Sequence, residues 1–462
     1  MTAQAKPWPA DFMVRIREQF PGAAELFIAA LEQNARISVR LNPAKFTAKP
    51  HGEQVPWCNE AYFLPERPTF ALDPLWHVGT YYVQEASSMF LEQAFRQVKV
   101  EGPKMVLDLC AAPGGKSTHL NSLLGKNDLL VSNEVIRARV QVLIENLSKW
   151  GYPNAVITNA DPKQFGELEG LFDVLVIDAP CSGEGLFRRN PEAANEWNTE
   201  NARLCAVRQR RILADSWPCL KSGGYLIYST CTFNPAENED NLQWLRQQCG
   251  FESIRLPLQS EWQVDELETE GIYGYRFLPH KVQGEGFFIS ILKKTEATVP
   301  IRFPKKFATR LQNPPKSTTH WVINPANKLF FQHQDQLKFI PANWENEILM
   351  LFEKLNVVKA GVHFATLKKN DLLPEHELAM STELVADSFD RVELSHEDAL
   401  RFLGRDNFQL PHAGSNWELA CFGGLPLGFL KNLGNRFNNY YPKEWRLRMN
   451  ERQAVPLWHK EQ

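Results

Sequence analysis

The sequence predicts an α/β fold centred on an open, mostly parallel sheet with helices on both faces. Three observations carry that prediction. Between about 103 and 294, turns and helical stretches separate short apolar runs at 105–110, 129–134, 155–158, 173–177 and 224–228, each suited to a buried strand. Between the second and third runs, Val140, Leu143, Ile144 and Leu147 fall at i, i+3, i+4 and i+7, the apolar stripe of a helix packed on such a sheet. Small residues and acids then gather just beyond the strand ends, where open α/β sheets bind their ligands.

At 462 residues the chain is longer than one core usually serves, about 250–300 residues, so we divide it at 1–100, 101–295, 296–385 and 386–462. The first part mixes helical stretches at 15–20 and 23–33 with a strand-like Ile37-Ser38-Val39-Arg40-Leu41 and proline-broken loops, an α+β prefix. The second is the parallel-sheet core. A proline-rich, basic segment at 299–320 reads as a linker. The last part, towards 449, interleaves Lys431, Arg436 and Lys443 with Phe437, Tyr440 and Tyr441.

Composition narrows the classes of function. With 44% hydrophobic and 23% charged residues and no apolar run of bilayer length, the chain is expected to stay out of membranes. Residues 1–12 hold two prolines and an acid where a secretory signal needs an apolar stretch, so a cytoplasmic location is expected. The eight cysteines form no C-x-x-C pair and no Cys/His cluster at zinc spacing, which predicts reduced thiols and no metal site. A net charge of −3 gives no overall basic excess, so any nucleic-acid contact must use local patches.

The most specific motif is Asp108-Leu109-Cys110-Ala111-Ala112-Pro113-Gly114-Gly115-Lys116-Ser117, placed between the first strand and a helix. Its small residues let a ligand approach the backbone. A phosphate loop needs Gly, four residues, then Gly-Lys-Ser/Thr, and Cys110 stands where the first of those glycines belongs. A strand-to-helix turn without a ligand is the plain alternative. Acids follow the next strands at Glu134, Asp161 and Asp178. Glu134, about twenty residues past the glycines, fits a ribose contact, and Asp161 suits an adenine amino group. Each alone reads equally as a solvated acid or helix cap, but three aligned acids favour a ligand site.

Asp178-Ala179-Pro180-Cys181-Ser182-Gly183-Glu184-Gly185 follows the fourth strand, and Tyr228-Ser229-Thr230-Cys231-Thr232 follows the fifth. Neighbouring strands can deliver both thiols to one pocket. An inert buried thiol is the usual fate of a single cysteine, and we assign it to Cys110, Cys205, Cys219 and Cys249. For Cys181 and Cys231 the residues alone leave a structural and a catalytic reading open. Arg188 and Arg189, with Arg203, Arg208, Arg210 and Arg211 on a predicted helix, suit either a phosphate-facing rim or a solvated face.

Together these motifs resemble the Sun-type RNA cytosine-5 methyltransferases, and the whole chain resembles the bacterial RsmF branch, which modifies 16S ribosomal RNA. The resemblance also rests on Gln84-Glu85-Ala86-Ser87-Ser88-Met89, on Arg276 with Pro279-His280, and on Gly284-Glu285-Gly286-Phe287-Phe288. It runs from about 36 to 294; beyond 300 it is looser, resting on Pro374-Glu375-His376-Glu377-Leu378-Ala379 and the stretch 438–443. It implies a class I (Rossmann-like) methyltransferase core, an N-terminal RNA-binding domain, and an extension ending in a PUA-like RNA-binding domain. The implied reaction moves a methyl group from S-adenosyl-L-methionine to carbon 5 of a cytosine in RNA, with 16S rRNA in the small subunit as the partner of a monomeric enzyme. A tRNA target and a non-catalytic ribosome-assembly factor are the alternatives.

The resemblance also implies roles. The backbone of Cys110, Ala111, Ala112, Pro113, Gly114, Gly115 and Lys116, with the side chains of Glu134, Asp161 and Asp178, would hold the cofactor, assisted by Arg139. Cys231 would attack, Cys181 would help release the product, and Asp178 would hydrogen-bond the base at N3 or N4. Carbon 5 of cytosine is too poor a nucleophile to take a methyl group unaided, so a thiolate must first add at carbon 6. A thiol with a pKa of ~8.5 is only slightly ionised at neutral pH, and the sequence does not reveal what activates Cys231. A DNA cytosine-5 methyltransferase would carry Glu-Asn-Val, which is missing here.

Overall fold

The computed structural model describes residues 8–449 apart from 300, 305, 308–315, 370 and 411–415. Part of the expected linker at 299–320 and the end of the 386–462 part therefore lie outside the described residues. Two helices, Ala10–Gln19 and Ala24–Leu31, precede an antiparallel sheet of β1 (Ile37–Leu41), β2 (Glu53–Gln54), β3 (Ala61–Leu64) and β4 (Tyr81–Val83), in the order β2-β3-β1-β4.

The central sheet contains β5 (Met105–Asp108), β6 (Leu129–Asn133), β7 (Ala155–Thr158), β8 (Phe172–Asp178) and β9 (Leu220–Thr230), followed by β10 (Phe251–Ser253), β11 (Asp265–Thr269), β12 (Ile272–Phe277) and β13 (Phe287–Lys294). The order runs β11-β12-β13-β9-β8-β5-β6-β7, with β10 paired to β13. β5 to β9 are mutually parallel, whereas β13 and the strands beyond it run antiparallel. Each predicted parallel run is thus a strand. β5 and β6 are buried at every position, as strands covered on both faces must be.

Helix Arg137–Trp150 covers one face through Val140, Leu143 and Leu147, with Ile144 partly buried beside them, and ends at Gly151 in the left-handed region (φ 87°). That conformation suits a glycine C-cap. The order of the parallel strands reverses beside β5, so the loops after β5 and β8 face one another across a crevice at the strands' carboxyl ends.

The stretch expected to form a separate extension, 296–385, contributes β14 (Lys328–His333), β15 (Gln336–Pro341), β16 (Val357–Ala360), β17 (Val362–Lys368) and β18 (Asp371–Pro374). Four of these make their own antiparallel sheet, but β16 pairs with β7 and becomes the outer strand of the central sheet. A last sheet holds β19 (Asp390–Glu393), β20 (Trp417–Phe422), β21 (Leu425–Asn432) and β22 (Phe437–Asn439). One apolar cluster runs through the N-terminal sheet (Val39, Leu41), the extension (Phe339, Phe364) and the final part (Phe402, Leu419). Tyr441 is core, whereas Tyr440 is exposed with its ring edge-on to Trp417. Among the described residues no helix is long and apolar enough to cross a membrane.

Candidate active site

The glycine motif leaves β5 and turns at Gly114 (φ 114°), a conformation that favours glycine, to start helix Gly115–Leu123. The turn is fixed from beneath. Ala111 N donates to Asn133 O, and the Asn133 amide donates to the carbonyls of Leu109 and Ala160, tying the ends of β5, β6 and β7 together. From the side, buried Arg40 of β1 donates to Gln84, to Thr118 Oγ1 at 2.7 Å and to the Gly115 carbonyl, with its guanidinium over Trp150. Burial lowers the Arg40 pKa to about 10 against the pull of Cys58, which leaves it charged at neutral pH. The N-terminal sheet is therefore bolted onto the motif helix.

The predicted acids sit at the strand ends. Glu134 is buried, accepts from Ile136 N, and lies 3.3 Å from Arg139, which also donates to the Ala112 carbonyl. Arg139 thus links this acid to the glycine turn. Asp161 caps helix Pro162–Gly166 by accepting from Lys163 N, and its other oxygen pairs with Arg211 at 2.9 Å. Asp178 accepts from Ser229 Oγ at 2.8 Å and pairs with Lys116 Nζ at 2.9 Å. Burial opposes the Lys116 charge, but Asp178, then Cys231 and Asp108, outweigh it and raise its pKa.

Asp108 is fully buried. Burial is the first cause of a carboxyl pKa pushed up to about 7, partly offset by the Ser117 hydroxyl on Oδ2. Its Oδ1 has no hydrogen-bond partner among the described residues. This orphaned oxygen, with Glu134 and Asp178 tied to the glycine turn through Arg139 and Lys116, suits a cationic ligand bearing ribose and amino groups. The residues therefore fit S-adenosylmethionine.

The two thiols converge. Cys181 Sγ lies 3.1 Å from Cys231 Sγ, although fifty residues separate them in sequence. The hydrogen bond with Cys231, and then burial, push the Cys181 thiol up, so Cys181 holds its proton beside Cys231. The loop carrying Cys181 is clamped to the end of β9: Gly185 N donates to the Cys231 carbonyl at 2.9 Å, and Ser182 Oγ meets Thr232 Oγ1 at the same distance. Buried Glu237 accepts from Ser182 N, Ser182 Oγ and Gln209. Buried Glu184 accepts from Trp197 and Phe233 N and pairs with Arg15 at 2.6 Å. A loop fixed by two buried carboxylates keeps its thiol in place.

Sequence reasoning placed these groups but missed several partners. It used only the backbone of Lys116, whose side chain reaches Asp178 and lies 5.1 Å from the Phe287 ring centre. Arg40, Glu237 and Asp108 were not among the expected site residues. Of the arginines expected at a rim, Arg203 pairs with Glu200, Arg211 with Asp161, and Arg210 bonds Asn241, so the helix Thr199–Ser216 spends much of its charge locally. Among the cysteines taken as buried, only Cys219 is fully so; Cys110, Cys205 and Cys249 are partly exposed, and burial pushes each of their thiols up.

Away from the pair, buried Cys58, Glu92 and His119 bring potential metal-ligand atoms within 4.8 Å of one another. This grouping is invisible to a search by sequence spacing. Their facing atoms bond one another, with Cys58 Sγ donating to Glu92 Oε2 at 3.1 Å and His119 Nε2 at 3.3 Å from the same oxygen, while His119 Nδ1 has no hydrogen-bond partner among the described residues.

A Rossmann-like sheet with a glycine turn after its first strand and paired thiols beyond its fourth and fifth has the architecture of a class I methyltransferase. The chain belongs to the RsmF family of ribosomal RNA small subunit methyltransferases. Residues 97–293 match the family model for the 16S rRNA methyltransferase RsmB/F, residues 8–86 that for the N-terminal domain of RsmF, and residues 389–447 that for the RsmF PUA domain. The chain is 31% identical to the ribosomal RNA small subunit methyltransferase F of Enterobacter sp. (strain 638), over 95% of both proteins. It is also 31% identical to the protein of that name from Klebsiella pneumoniae (strain 342), over 95% of this chain and 96% of the other. A crystallised methyltransferase homolog from Pyrococcus horikoshii superposes with a TM-score of 0.53 at 27% identity, covering 62% of this chain and 95% of that one. NSun6 from Pyrococcus horikoshii shares the fold, with a TM-score of 0.53 at 19% identity over 62% of this chain and 98% of its own.

Proposed function

We propose that this protein methylates carbon 5 of a cytosine in 16S rRNA, with Cys231 as nucleophile and Cys181 as the group that completes release. The single observation that carries the reading is the 3.1 Å approach of the two sulfurs beside Asp178 and Lys116. The backbone from Cys110 to Lys116 and the side chains of Glu134, Asp161 and Asp178 hold S-adenosylmethionine, which supplies the methyl group.

Lys116 pairs with Asp178 at 2.9 Å, and the Cys181 thiol donates a hydrogen bond to the Cys231 sulfur across 3.1 Å. The Cys231 thiolate adds to carbon 6, and electron density moves onto carbon 5. Asp178, kept in place by Ser229 and Lys116, accepts from the base's amino group and orients the ring. Once Cys231 has become a thioether its negative charge is gone, which removes one of the causes that kept Cys181 protonated. Cys181 then gives its own proton to water, its thiolate or a water it orients takes the proton from carbon 5, and the carbon 6–sulfur bond breaks to return the Cys231 thiolate. The base must leave its stack to reach this pocket.

The test is a pair of variants incubated with rRNA and cofactor, then run on a denaturing gel. Cys231→Ala is expected to abolish methylation and leave no adduct, and Cys181→Ala to trap RNA covalently on the protein. An adduct that persists without Cys231, or none without Cys181, would reverse the assignment.

A further inference from the structure

A cleft of about 380 Å³ opens between the N-terminal sheet and the loop that follows Cys181, and its wall is made by residues of both. Four arginines, Arg36, Arg67, Arg188 and Arg189, line it together with two glutamates, Glu85 and Glu285. For a chain of net charge −3 this is a local concentration of positive charge.

The charges divide into those already satisfied and those left over. Arg188 is consumed structurally: its side chain is buried against Glu285 at 3.1 Å and donates to the Gly284 carbonyl. Glu85 is consumed by backbone, accepting from Ser87 N, Ser88 N and Glu285 N. Arg36 pairs with Glu53 at 2.9 Å while its guanidinium lies over the Phe63 ring. Arg67 and Arg189 are exposed; Arg67 lies over the Phe70 ring at 5.8 Å and Arg189 attracts Glu285, but neither forms a hydrogen bond or ion pair among the described residues. One comes from the N-terminal part and one from the catalytic loop, so they face the cleft from opposite sides.

Hydrogen bonds tie the walls of the cleft to the reaction site. Gln84, on its wall, accepts from Arg40, which in turn holds the helix after the glycine turn. Glu285, also on its wall, precedes Gly286, whose N–H donates to Gly185 O, and Gly185 N donates to the Cys231 carbonyl. The walls of this cleft are therefore fixed, through a few hydrogen bonds each, to the cofactor turn and to the loop that carries the thiols.

We infer that this cleft is the track for the RNA strand carrying the target base, with backbone phosphates held by Arg67 and Arg189. The inference rests on the methyltransferase reading above and adds the substrate contacts that reading lacks. Unpaired cations positioned on two walls suit a phosphodiester backbone, which carries one charge per nucleotide and is read by position rather than by base.

The experiment uses the full chain and a fluorescein-labelled fragment of 16S rRNA, titrated at several salt concentrations. Each single-strand phosphate contact contributes about 0.7 to the slope of log affinity against log salt. The double variant R67Q/R189Q is expected to lose about 1.4 from that slope and to bind roughly 25-fold more weakly at 0.1 M salt. R67K/R189K is expected to keep the slope, and R255Q, which removes a surface arginine paired with Glu266, to leave it unchanged. Cofactor titration and thermal melts of the same proteins establish that the variants are folded. An unchanged slope in folded R67Q/R189Q, or an equal loss in R255Q, would overturn the track while leaving methylation by the unaltered protein intact. If the unaltered protein fails to methylate rRNA, the functional reading itself falls.

Discussion

Replacing Gly185 by alanine puts a methyl carbon where the structure has no room. A Cβ built there lies 2.3 Å from the Gly286 carbonyl oxygen and 2.9 Å from that of Cys231. Carbon–oxygen contacts ordinarily settle at about 3.3–3.6 Å. Both obstacles are backbone atoms, so no side chain can swing away. Relief requires the loop bearing Cys181 to withdraw by about 1 Å from the Gly286 carbonyl and by about 0.5 Å from the strand end bearing Cys231. Overpacking of this kind costs about 1–3 kcal/mol, and a ~1 Å misplacement of reacting groups is enough to lower a rate about 100-fold. We expect G185A to lose about two orders of magnitude in single-turnover methylation, with Tm lowered by only a few degrees and cofactor affinity unchanged. Transfer of tritiated methyl groups to rRNA, thermal melts and cofactor titration measure the three quantities. G185A reacting at the unaltered rate would refute the view that this close approach holds the sulfurs together.

Two further predictions concern charge. Lys116→Gln removes the ammonium that sits 2.9 Å from Asp178 and holds that carboxylate in place; methylation should fall on the order of tenfold, and Lys116→Arg, which keeps the cation, should retain more of it. Methylation by folded Lys116→Gln at the unaltered rate would exclude that role. Asp108 titrates at about 7 in the folded protein because of burial and at ~3.9 when unfolded, so its native form keeps a proton that the unfolded chain releases. Its contribution to stability is present below about pH 4 and is lost as pH rises towards 7. The amide that Asp108→Asn introduces cannot ionise, so melts of this variant and the unaltered protein at about pH 4.5 and about pH 7.5 should show the variant gaining relative stability at the higher pH. A constant difference would count against the buried charge.

The central sheet was legible because its strands are buried on both faces and therefore read as uninterrupted apolar runs between turns. The same holds for the thiols, since Cys231 directly follows β9, Cys181 lies three residues past β8, and parallel strands end on one side. Partners reached across the fold were not legible. Arg40 in β1 gives no local sign that it will serve Thr118, and Glu237 looks like an ordinary acid in a turn until Ser182 and Gln209 are seen to close on it. The rim helix misled for the opposite reason. Arg203 and Arg211 look free in sequence, yet Glu200 three residues back and Asp161 fifty residues back meet them. β16 was hidden because a short strand carries no mark of which sheet it will join.

That strand has a consequence for how the protein can be taken apart. β16 arrives from beyond residue 295 to seal the flank of β7, so a chain cut there would bare a row of hydrogen-bonding groups able to glue one molecule to the next. The catalytic half is not a module that can be lifted out and fitted with another tail. Whatever new targets such a protein acquires must come from repainting its surface, because exchanging its hind part would fray the very sheet on which its chemistry stands.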